Sequence, residues 1–406
     1  MSEDDRGMSS VRTEVVIVGG GPAGLTAAIA LASAGVETAL VASSQAAADH
    51  RTSALLQGSV NALETLRVWE YCREHAAPLR VMRIIDDTGR LVRAREACFA
   101  ASEIGLDAFG HNIENRFLVA ALEARARELP ALVHIRDEAV AVEIADAGVT
   151  VRCRGGTAPS ARLAIGAEGR QSLCRSAAGI DIRGRTYAQT ALTFNLGHSR
   201  PHDDTSTEFH SETGPFTLVP LPQRRSSLVF VVDPAEVSNI STLSDTQMAA
   251  EIERRSHSVL GKVQIEGGRG VFPLSTATAT HLGAGRVALI GEAAHVIAPI
   301  GAQGLNLGLR DAATISELVV AGHREGKDVG ELTERYDRMR SADTTSRMLA
   351  VDLLNRSLLS DFLPLQGARA AALFLMERVG PLRRALMREG VMPWASQPRL
   401  MRGEAL

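Results

Sequence analysis

Three glycines near the start of the chain have the spacing of a phosphate-binding turn. Gly19, Gly21 and Gly24 fit the pattern G-x-G-x-x-G. They follow the apolar run Val15–Val18 and precede a helical pattern over residues 22–34. In this setting Gly19 permits the tight turn, Gly21 lets the backbone approach a pyrophosphate, and Gly24 allows close strand–helix packing. The motif predicts dinucleotide binding without separating FAD from NAD, and a plain glycine turn is the alternative interpretation.

The strand after this helix lacks the acidic residue that usually holds the ribose. The strand is predicted over residues 36–42, and it ends at Ala42 rather than at Asp or Glu. We therefore predict that Ser43 or Ser44 bonds the ribose hydroxyls.

Three further segments carry recognisable motifs. Residues 49–55 read DHRTSAL, residues 166–175 read GAEGRQSLCR, and residues 287–312 begin VALIGEAAH and end PIGAQGLNLGLRDA. Together with the glycine motif, they resemble the single-component aromatic hydroxylases of the para-hydroxybenzoate hydroxylase group, and most closely the branch that hydroxylates ubiquinone precursors. The resemblance covers nearly the whole chain.

The resemblance implies FAD as the cofactor and NAD(P)H as the co-substrate. It places Arg51 near the flavin pyrophosphate or ring and Arg116 at the start of a helix that packs on the cofactor. The motif around Glu168 and Gly169 is associated with both FAD and reduced nicotinamide. The cofactor-binding residues implied by the matched motifs are Gly19, Gly21, Ala23, Gly24, Ser43, Arg51, Arg116, Glu168, Gly169, Gly291, Glu292, Gly301, Ala302, Gln303, Gly304, Leu305 and Asn306.

The motif at residues 287–312 has side-chain and backbone groups that are suited to binding a flavin. A strand ending at Gly291 presents the Glu292 carboxylate to the ribityl hydroxyls, and a charged acceptor makes a strong hydrogen bond. The turn over residues 301–305 opens a helix whose N–H groups and dipole would stabilise an anionic reduced flavin. The family pattern has aspartate at positions 168 and 292, and it has alanine then glycine before Gln303. Here the order is glycine then alanine, so we expect the residue with positive φ to move by one position.

Two residues near the expected reaction centre are candidates for catalysis. His295 follows the strand that ends at Gly291, although an isolated histidine is more often structural. The resemblance implies that the backbone oxygen of Pro299 points towards a substrate hydroxyl, and a simple loop proline is the equal alternative. For the substrate pocket we predict Phe216 and Pro220, on a strand whose alternating hydrophobic residues are otherwise core.

The order of the predicted elements indicates an α/β fold with a Rossmann-like FAD-binding domain, an inserted antiparallel-sheet substrate domain and C-terminal helices. The inserted sheet is indicated by turn-rich strands between residues 187 and 272. The predicted FAD-binding domain is discontinuous and comprises residues 1–75, 100–180 and 270–330, while residues 76–99 and 181–269 form the substrate domain and residues 331–406 the helical C-terminal region.

The composition favours a globular protein with a small-molecule ligand. Forty-seven acidic and 44 basic residues give a net charge of −3, which argues against nucleic-acid binding. The four cysteines are widely spaced, with no metal-ligand pattern, and indicate a reducing compartment. The polar N-terminus and the lack of a long apolar run predict a cytoplasmic protein.

The C-terminal region combines apolar pairs with arginines. Such helices would lie on the inner face of a membrane, or they would pack on the chain's own core or on a second copy of the chain. Contact with other quinone-pathway proteins also stays open at this point.

We therefore predict an FAD-dependent monooxygenase that uses NAD(P)H and O2 to hydroxylate an aromatic ring. The resemblance implies a prenylated phenol of ubiquinone biosynthesis as the substrate. The alternatives are hydroxylation of another aromatic metabolite and a non-catalytic flavin-binding accessory protein.

Overall fold

A computed structural model describes residues 11–43, 51–89, 96–298, 302–359, 379–391 and 397–406. The predictions for Ser44, Pro299 and Gly301 lie outside these residues. The predicted α/β class is confirmed, because a parallel sheet with flanking helices is joined to a large antiparallel sheet.

The strands, in chain order, are β1 (Val15–Val18), β2 (Thr38–Val41), β3 (Thr52–Leu56), β4 (Ala76–Pro78), β5 (Val81–Asp86), β6 (Ala97–Ala100), β7 (Gly110–Glu114), β8 (Leu132–Ile135), β9 (Ala139–Ala145), β10 (Gly148–Cys153), β11 (Ser160–Ala161), β12 (Leu163–Gly166), β13 (Ile182–His198), β14 (Thr205–Ser211), β15 (Gly214–Leu221), β16 (Arg225–Val232), β17 (Val263–Ala279), β18 (Gly283–Ala284), β19 (Val287–Leu289) and β20 (His295–Val296). The α-helices are α1 (Pro22–Ser33), α2 (Gln57–Thr65), α3 (Asn115–Arg127), α4 (Leu173–Ala177), α5 (Pro234–Ser241), α6 (Asp245–Arg255), α7 (Gln303–Arg324), α8 (Thr333–Leu359) and α9 (Gly380–Val391).

The parallel sheet has the strand order β18-β19-β12-β1-β2-β8, and within it only the short β18 pairs antiparallel. Its central strands are runs of buried apolar residues, which is typical of parallel strands covered on both faces. Strands distant in sequence become neighbours, since β1 lies between β2 and β12. The carboxyl ends of β1, β12 and β19 therefore meet at one edge, and a motif follows each of them.

Small residues let α1 and α7 start close together at this edge. A Cβ on Gly24 would lie 2.1 Å from the carbonyl oxygen of Gly19, so only glycine permits this strand–helix contact. A Cβ on Gly308 would lie 3.0 Å from the Cα of Gly291. The two helix N-termini are thereby brought to the same end of the sheet.

The large sheet covers this end. Its order is β20-β17-β13-β16-β15-β14-β5-β6, and its longest strands, β13 and β17, have 17 residues each. The pairing of β13 with β17 shifts between Thr186 and Thr190 and again between Thr193 and Asn195. The predicted domain boundary after residue 269 falls inside β17, and the division into domains stays a prediction.

The C-terminal helices pack on the chain itself. The Tyr336 hydroxyl on α8 donates to the carbonyl of Leu289 at 2.8 Å. On α9, Met387 and Val391 pack against a small apolar cluster that includes Ile104. No helix in the described part of the chain combines the length and the apolar character needed to cross a bilayer.

Candidate cofactor and substrate site

A cavity of about 470 Å³ lies where the parallel sheet meets the large sheet, and this size is typical of small-molecule sites. Motif residues line it on one side, and residues of β13, β16 and β17 line it on the other. The predicted residues that line the cavity are Gly21, Ala23, Arg51, Gly169, Gly291, Glu292, His295, Gly304 and Leu305.

The first glycine turn has the geometry of a pyrophosphate cradle. Gly19 has φ 112°, and a Cβ there would lie 2.4 Å from the carbonyl of Ala167. A Cβ on Gly21 would meet no atom within 4 Å, so the backbone is open to the cavity at this position. Helix α1 begins without a side-chain cap and without an acidic residue in its first turn. Its first N–H groups are therefore suited to an anionic ligand.

The residue before α7 has a left-handed backbone conformation, although it is alanine rather than glycine. Ala302 caps this helix with φ 55° and ψ 30°, a conformation that costs a non-glycine residue roughly 1–2 kcal/mol. The expectation that positive φ would leave position 302 is therefore wrong. Helix α7 also starts without a side-chain cap, so its N–H groups face the cavity edge near Gly304.

Asn306 uses its whole side-chain amide within the protein. The nitrogen donates to the carbonyls of Ala302 at 2.6 Å and Ala54 at 2.8 Å. The oxygen accepts from the N–H of Leu56 at 2.8 Å and from the Ser59 hydroxyl at 2.7 Å. This amide holds the start of α7 against β3 and α2, and a direct contact with FAD stays a prediction.

The loop around Glu168 is held by side chains behind the cavity. One oxygen of Glu168 accepts from the Ser172 hydroxyl at 2.8 Å and from the N–H of Cys174 at 2.7 Å, whereas the other is buried without a partner in the described residues. Arg175 donates to the carbonyls of Ala293 at 2.9 Å and Arg170 at 2.7 Å. Arg175 therefore ties this loop to the turn that carries Glu292.

Glu292 reaches across the cavity to the loop from the middle of the chain. Its carboxylate accepts from Arg170 Nε at 3.1 Å, and about half of each side chain is exposed. The added methylene, compared with aspartate, is thus accommodated at the cavity rim.

His295 is buried and paired with a buried carboxylate. Its Nε2 lies 2.6 Å from Asp311, which also accepts from the N–H of Gly291 at 3.2 Å and from Arg340 Nε at 2.8 Å. Burial alone would raise the pKa of Asp311, but its interactions with His295 and Arg340 outweigh burial and lower that pKa. The pair orients the imidazole at the cavity wall, and neither Asp311 nor Arg340 was predicted from the sequence.

Polar residues missed by sequence analysis form another wall. The Thr52 hydroxyl donates to Ser227 at 2.9 Å, and the Ser53 hydroxyl donates to Asn115 at 2.7 Å. All four line the cavity, together with Asn195. Thr52 and Ser53 belong to the motif at residues 49–55, whereas Asn115, Asn195 and Ser227 carry no motif, so only the pairing of distant strands brings all five together.

Phe216, Pro220 and Arg116 are among the predicted residues that do not line this cavity. Phe216 packs edge-to-face with Phe230 in the core of the large sheet, and Pro220 is buried with its carbonyl bonded to Asn112 at 2.9 Å. Neither is among the residues that line this cavity, and both are buried in the sheet, so their role in a substrate pocket stays a prediction. Arg116 pairs with Glu114 at 2.8 Å and is not a lining residue either.

A smaller cavity of about 270 Å³ lies beside the carboxyl ends of β2 and β8. Ala42 and Ser43 line it, together with His134, Arg127 and Arg136. The site that lacks the ribose acid is thus lined by the Ser43 hydroxyl, by basic side chains and by the carboxylate of Glu123, and ribose binding there stays a prediction.

The glycine cradle at Gly19 and Gly21, the two uncapped helix starts and the adjoining cavity define a dinucleotide-binding protein with a second space beside the cradle. A family model described as "FAD binding domain" matches residues 12–348, and the chain belongs to this family. The predicted cofactor, FAD, is confirmed.

Two relatives match almost end to end. The ubiquinone hydroxylase UbiL of Rhodospirillum rubrum is 34% identical over 405 residues, covering 97% of this chain and 93% of its own. The 3-demethoxyubiquinol 3-hydroxylase of Escherichia coli is 29% identical over 393 residues, covering 94% and 99%.

Solved structures share the fold. PqsL of P. aeruginosa, in complex with 2-aminobenzoylacetate, has a TM-score of 0.76 at 20% identity and covers 89% of this chain and 99% of its own. HpxO of Klebsiella pneumoniae, complexed with FAD and uric acid, has a TM-score of 0.75 at 19% identity, covering 94% and 97%.

Proposed function

We propose that the protein is an FAD-dependent monooxygenase that hydroxylates the ring of a prenylated ubiquinone precursor with NAD(P)H and O2. The observation that carries this proposal is that one cavity is lined both by the glycine cradle at Gly21 and by Thr193 and Val229 of the large sheet. A cofactor and an aromatic ring can therefore meet there. The names of the two ubiquinone-pathway relatives support the substrate class.

The chain's own residues bind and orient the cofactor, whose bound ring supplies the oxygen-activating chemistry. The start of α1 at Gly21 would hold the pyrophosphate, and Ser43 would bond the ribose. The Glu292 carboxylate would accept from ribityl hydroxyls, and the start of α7 would donate to the pyrimidine edge. Arg51 lines the same cavity, with its guanidinium carbon 5.6 Å from the centre of the Phe272 ring.

The substrate side of the cavity combines apolar and polar walls. The apolar residues Leu228, Val229, Phe272, Leu274, Ile297 and Ala298 line it and would exclude water from the ring. The side chains of Thr193, Asn195 and Ser227 offer hydrogen bonds to a phenol hydroxyl. The carbonyl of Pro299 is proposed to add a further acceptor, and His295 is proposed to orient this wall rather than act as a base.

The decisive experiment follows oxygen into the product. The purified protein, reconstituted with FAD, is given NADH or NADPH, a short-chain prenylated phenol and ¹⁸O2. We expect one ¹⁸O atom in the product and a matching consumption of reduced nicotinamide. A bound flavin that oxidises nicotinamide without labelling any phenol would overturn the substrate assignment, and one that does neither would favour the accessory protein.

Another aromatic metabolite is the second candidate, because the polar wall would also bind a substrate without a prenyl tail. Comparing the same phenol with and without its tail separates the two. Faster labelling of the prenylated compound supports the quinone pathway, whereas equal rates favour the second candidate.

We also propose that α9 contacts an anionic membrane surface. Val379, Leu382 and Leu386 form an exposed apolar stripe at helical spacing, with Arg384 and Arg388 beside it. Co-sedimentation with phosphatidylglycerol vesicles tests this contact. Leu382→Ser with Leu386→Ser should abolish binding, while Val133→Ser with Val140→Ser, also at exposed valines, should leave it unchanged.

A further inference from the structure

A buried group of charges connects the C-terminal helix α8 to the first turns of α7. We call it the α7–α8 ion cluster, and its members are Arg310, Asp311, Arg340, Asp343 and Arg347. Asp343 accepts from Arg310 at 3.0 Å and from Arg347 at 2.9 Å. It pairs with Arg340 as well, which also donates to Asp311.

The cluster reaches the cofactor site through Arg347. Nη1 of this residue donates to Oε1 of Gln303 at 3.2 Å, and Gln303 is the first residue of α7. Asp343 holds the other side of the guanidinium at Nε. Only 12% of the Arg347 side chain is exposed, so the contact is shielded from solvent. One arginine of α8 thus fixes the turn that begins with Ala302.

The cluster carries more positive than negative charge. Among the described residues, three guanidinium groups face two carboxylates, which leaves one positive charge when His295 is neutral. This charge lies behind the N-terminus of α7, whose dipole has the same sign. The electrostatic effect of this positive charge is stronger than that of a charge at the surface, because the side chains of Arg310, Arg340 and Arg347 are each less than 15% exposed.

We propose that Arg347 is a positioning residue for the flavin, which fixes Gln303 and supplies the positive charge that stabilises the reduced ring. Reduction transfers two electrons and one proton from NAD(P)H to oxidised FAD, so the ring gains one negative charge. A positive charge behind the ring therefore favours the reduced form. This inference rests on the proposed function only in its use of FAD and NAD(P)H.

The test compares the midpoint potential of bound FAD in the full-length protein and its variants. In Arg347→Met, reduced FAD should bind about tenfold more weakly relative to oxidised FAD, which lowers the potential by about 30 mV for a two-electron couple. Arg347→Lys keeps the charge and should recover most of the potential. Arg338→Met, at an exposed arginine of the same helix, should match the wild type.

The contact with Gln303 is tested separately. Gln303→Ala keeps every charge, so it should weaken oxidised and reduced FAD equally, about threefold, and leave the potential unchanged. The same variant keeps the test decisive if Arg347→Met does not fold. An Arg347→Met potential equal to that of Arg338→Met, or Gln303→Ala binding equal to wild type, would overturn the inference. Failure of the wild type to take up FAD would instead count against the proposed function.

Discussion

The Ser59 hydroxyl donates a hydrogen bond of 2.7 Å to the side-chain oxygen of Asn306, although 247 residues separate them in sequence. The same side-chain oxygen accepts from the N–H of Leu56, and the amide nitrogen donates to the carbonyls of Ala54 and Ala302. One side-chain amide therefore joins the segment of β3 and α2 to the start of α7. The turn that opens α7 is therefore held from behind by a residue whose own side-chain amide is already fully bonded.

Asn306→Ala should destabilise the protein by about 2–4 kcal/mol, because it leaves the half-buried N–H of Leu56 and the carbonyl of Ala54 without their partner. Urea unfolding of the FAD-saturated protein measures this loss. Asn239→Ala, at an exposed asparagine of α5, should change stability by less than about 0.5 kcal/mol. Equal effects of the two substitutions would mean that the Asn306 amide contributes little.

Ala302→Gly should stabilise the start of α7, since glycine adopts positive φ without the steric cost that alanine bears here. We expect a gain of about 1 kcal/mol and tighter FAD binding, measured by fluorescence titration. Ala321→Gly, at an exposed position inside the same helix, should have the opposite sign and cost about 1 kcal/mol. A loss of stability in both variants would contradict the left-handed geometry.

Glu292→Gln should weaken FAD binding about tenfold, because the neutral amide is a poorer acceptor for ribityl hydroxyls. Glu143→Gln is the matched control, as its pair with Arg152 has almost the same exposure as that of Glu292 with Arg170. Both substitutions should change stability by less than about 1 kcal/mol. If FAD affinity is the same in the two variants, Glu292 does not contact the cofactor.

Asp343→Asn should make stability less dependent on pH in acid. Burial raises the pKa of Asp343, but Arg340, Arg310 and Arg347 outweigh it and hold the pKa below its ordinary value. A carboxylate with a lowered folded pKa contributes stability above its unfolded pKa and loses it as the pH falls through the folded pKa. The variant should be less stable than wild type by about 3 kcal/mol at pH 7, with a difference that shrinks below about pH 4.

Urea unfolding at several pH values measures this difference. Asp245→Asn removes an exposed partner of Arg269 and should cost less than about 1 kcal/mol throughout. A constant difference between Asp343→Asn and wild type from pH 7 to pH 3 would contradict the assigned titration.

The glycine cradle could be predicted because its signals are local. The buried strand β1, the turn at Gly19 and the helix from Pro22 each have their own pattern, and all three agree. The later turn was only partly predictable, because the order glycine then alanine before Gln303 suggested that positive φ would leave position 302. The hydrogen bond from the Asn306 amide to the carbonyl of Ala302 keeps the positive φ at position 302.

The substrate wall could not be predicted, because it depends on pairing between distant strands. Alternation in β15 indicates that Phe216 and Leu218 share a face, but it does not tell which face meets the cavity. The strands and helices that neighbour β15 decide this, and the face that carries Phe216 and Leu218 packs in the core. Likewise, no spacing rule links His295 to Arg340, which share the Asp311 carboxylate only because α8 packs beside α7.

The two register shifts between β13 and β17 enclose a short, regularly paired window, in which Ala191 and Thr193 lie opposite Phe272 and Gly270. A one-residue gain at one irregularity with a one-residue loss at the other would turn the opposite set of side chains inward across this window and restore the register beyond it. Substrate preference can thus diversify in evolution, or be redesigned, by paired one-codon changes at these two positions of the large sheet, outside the strands of the dinucleotide half of the molecule.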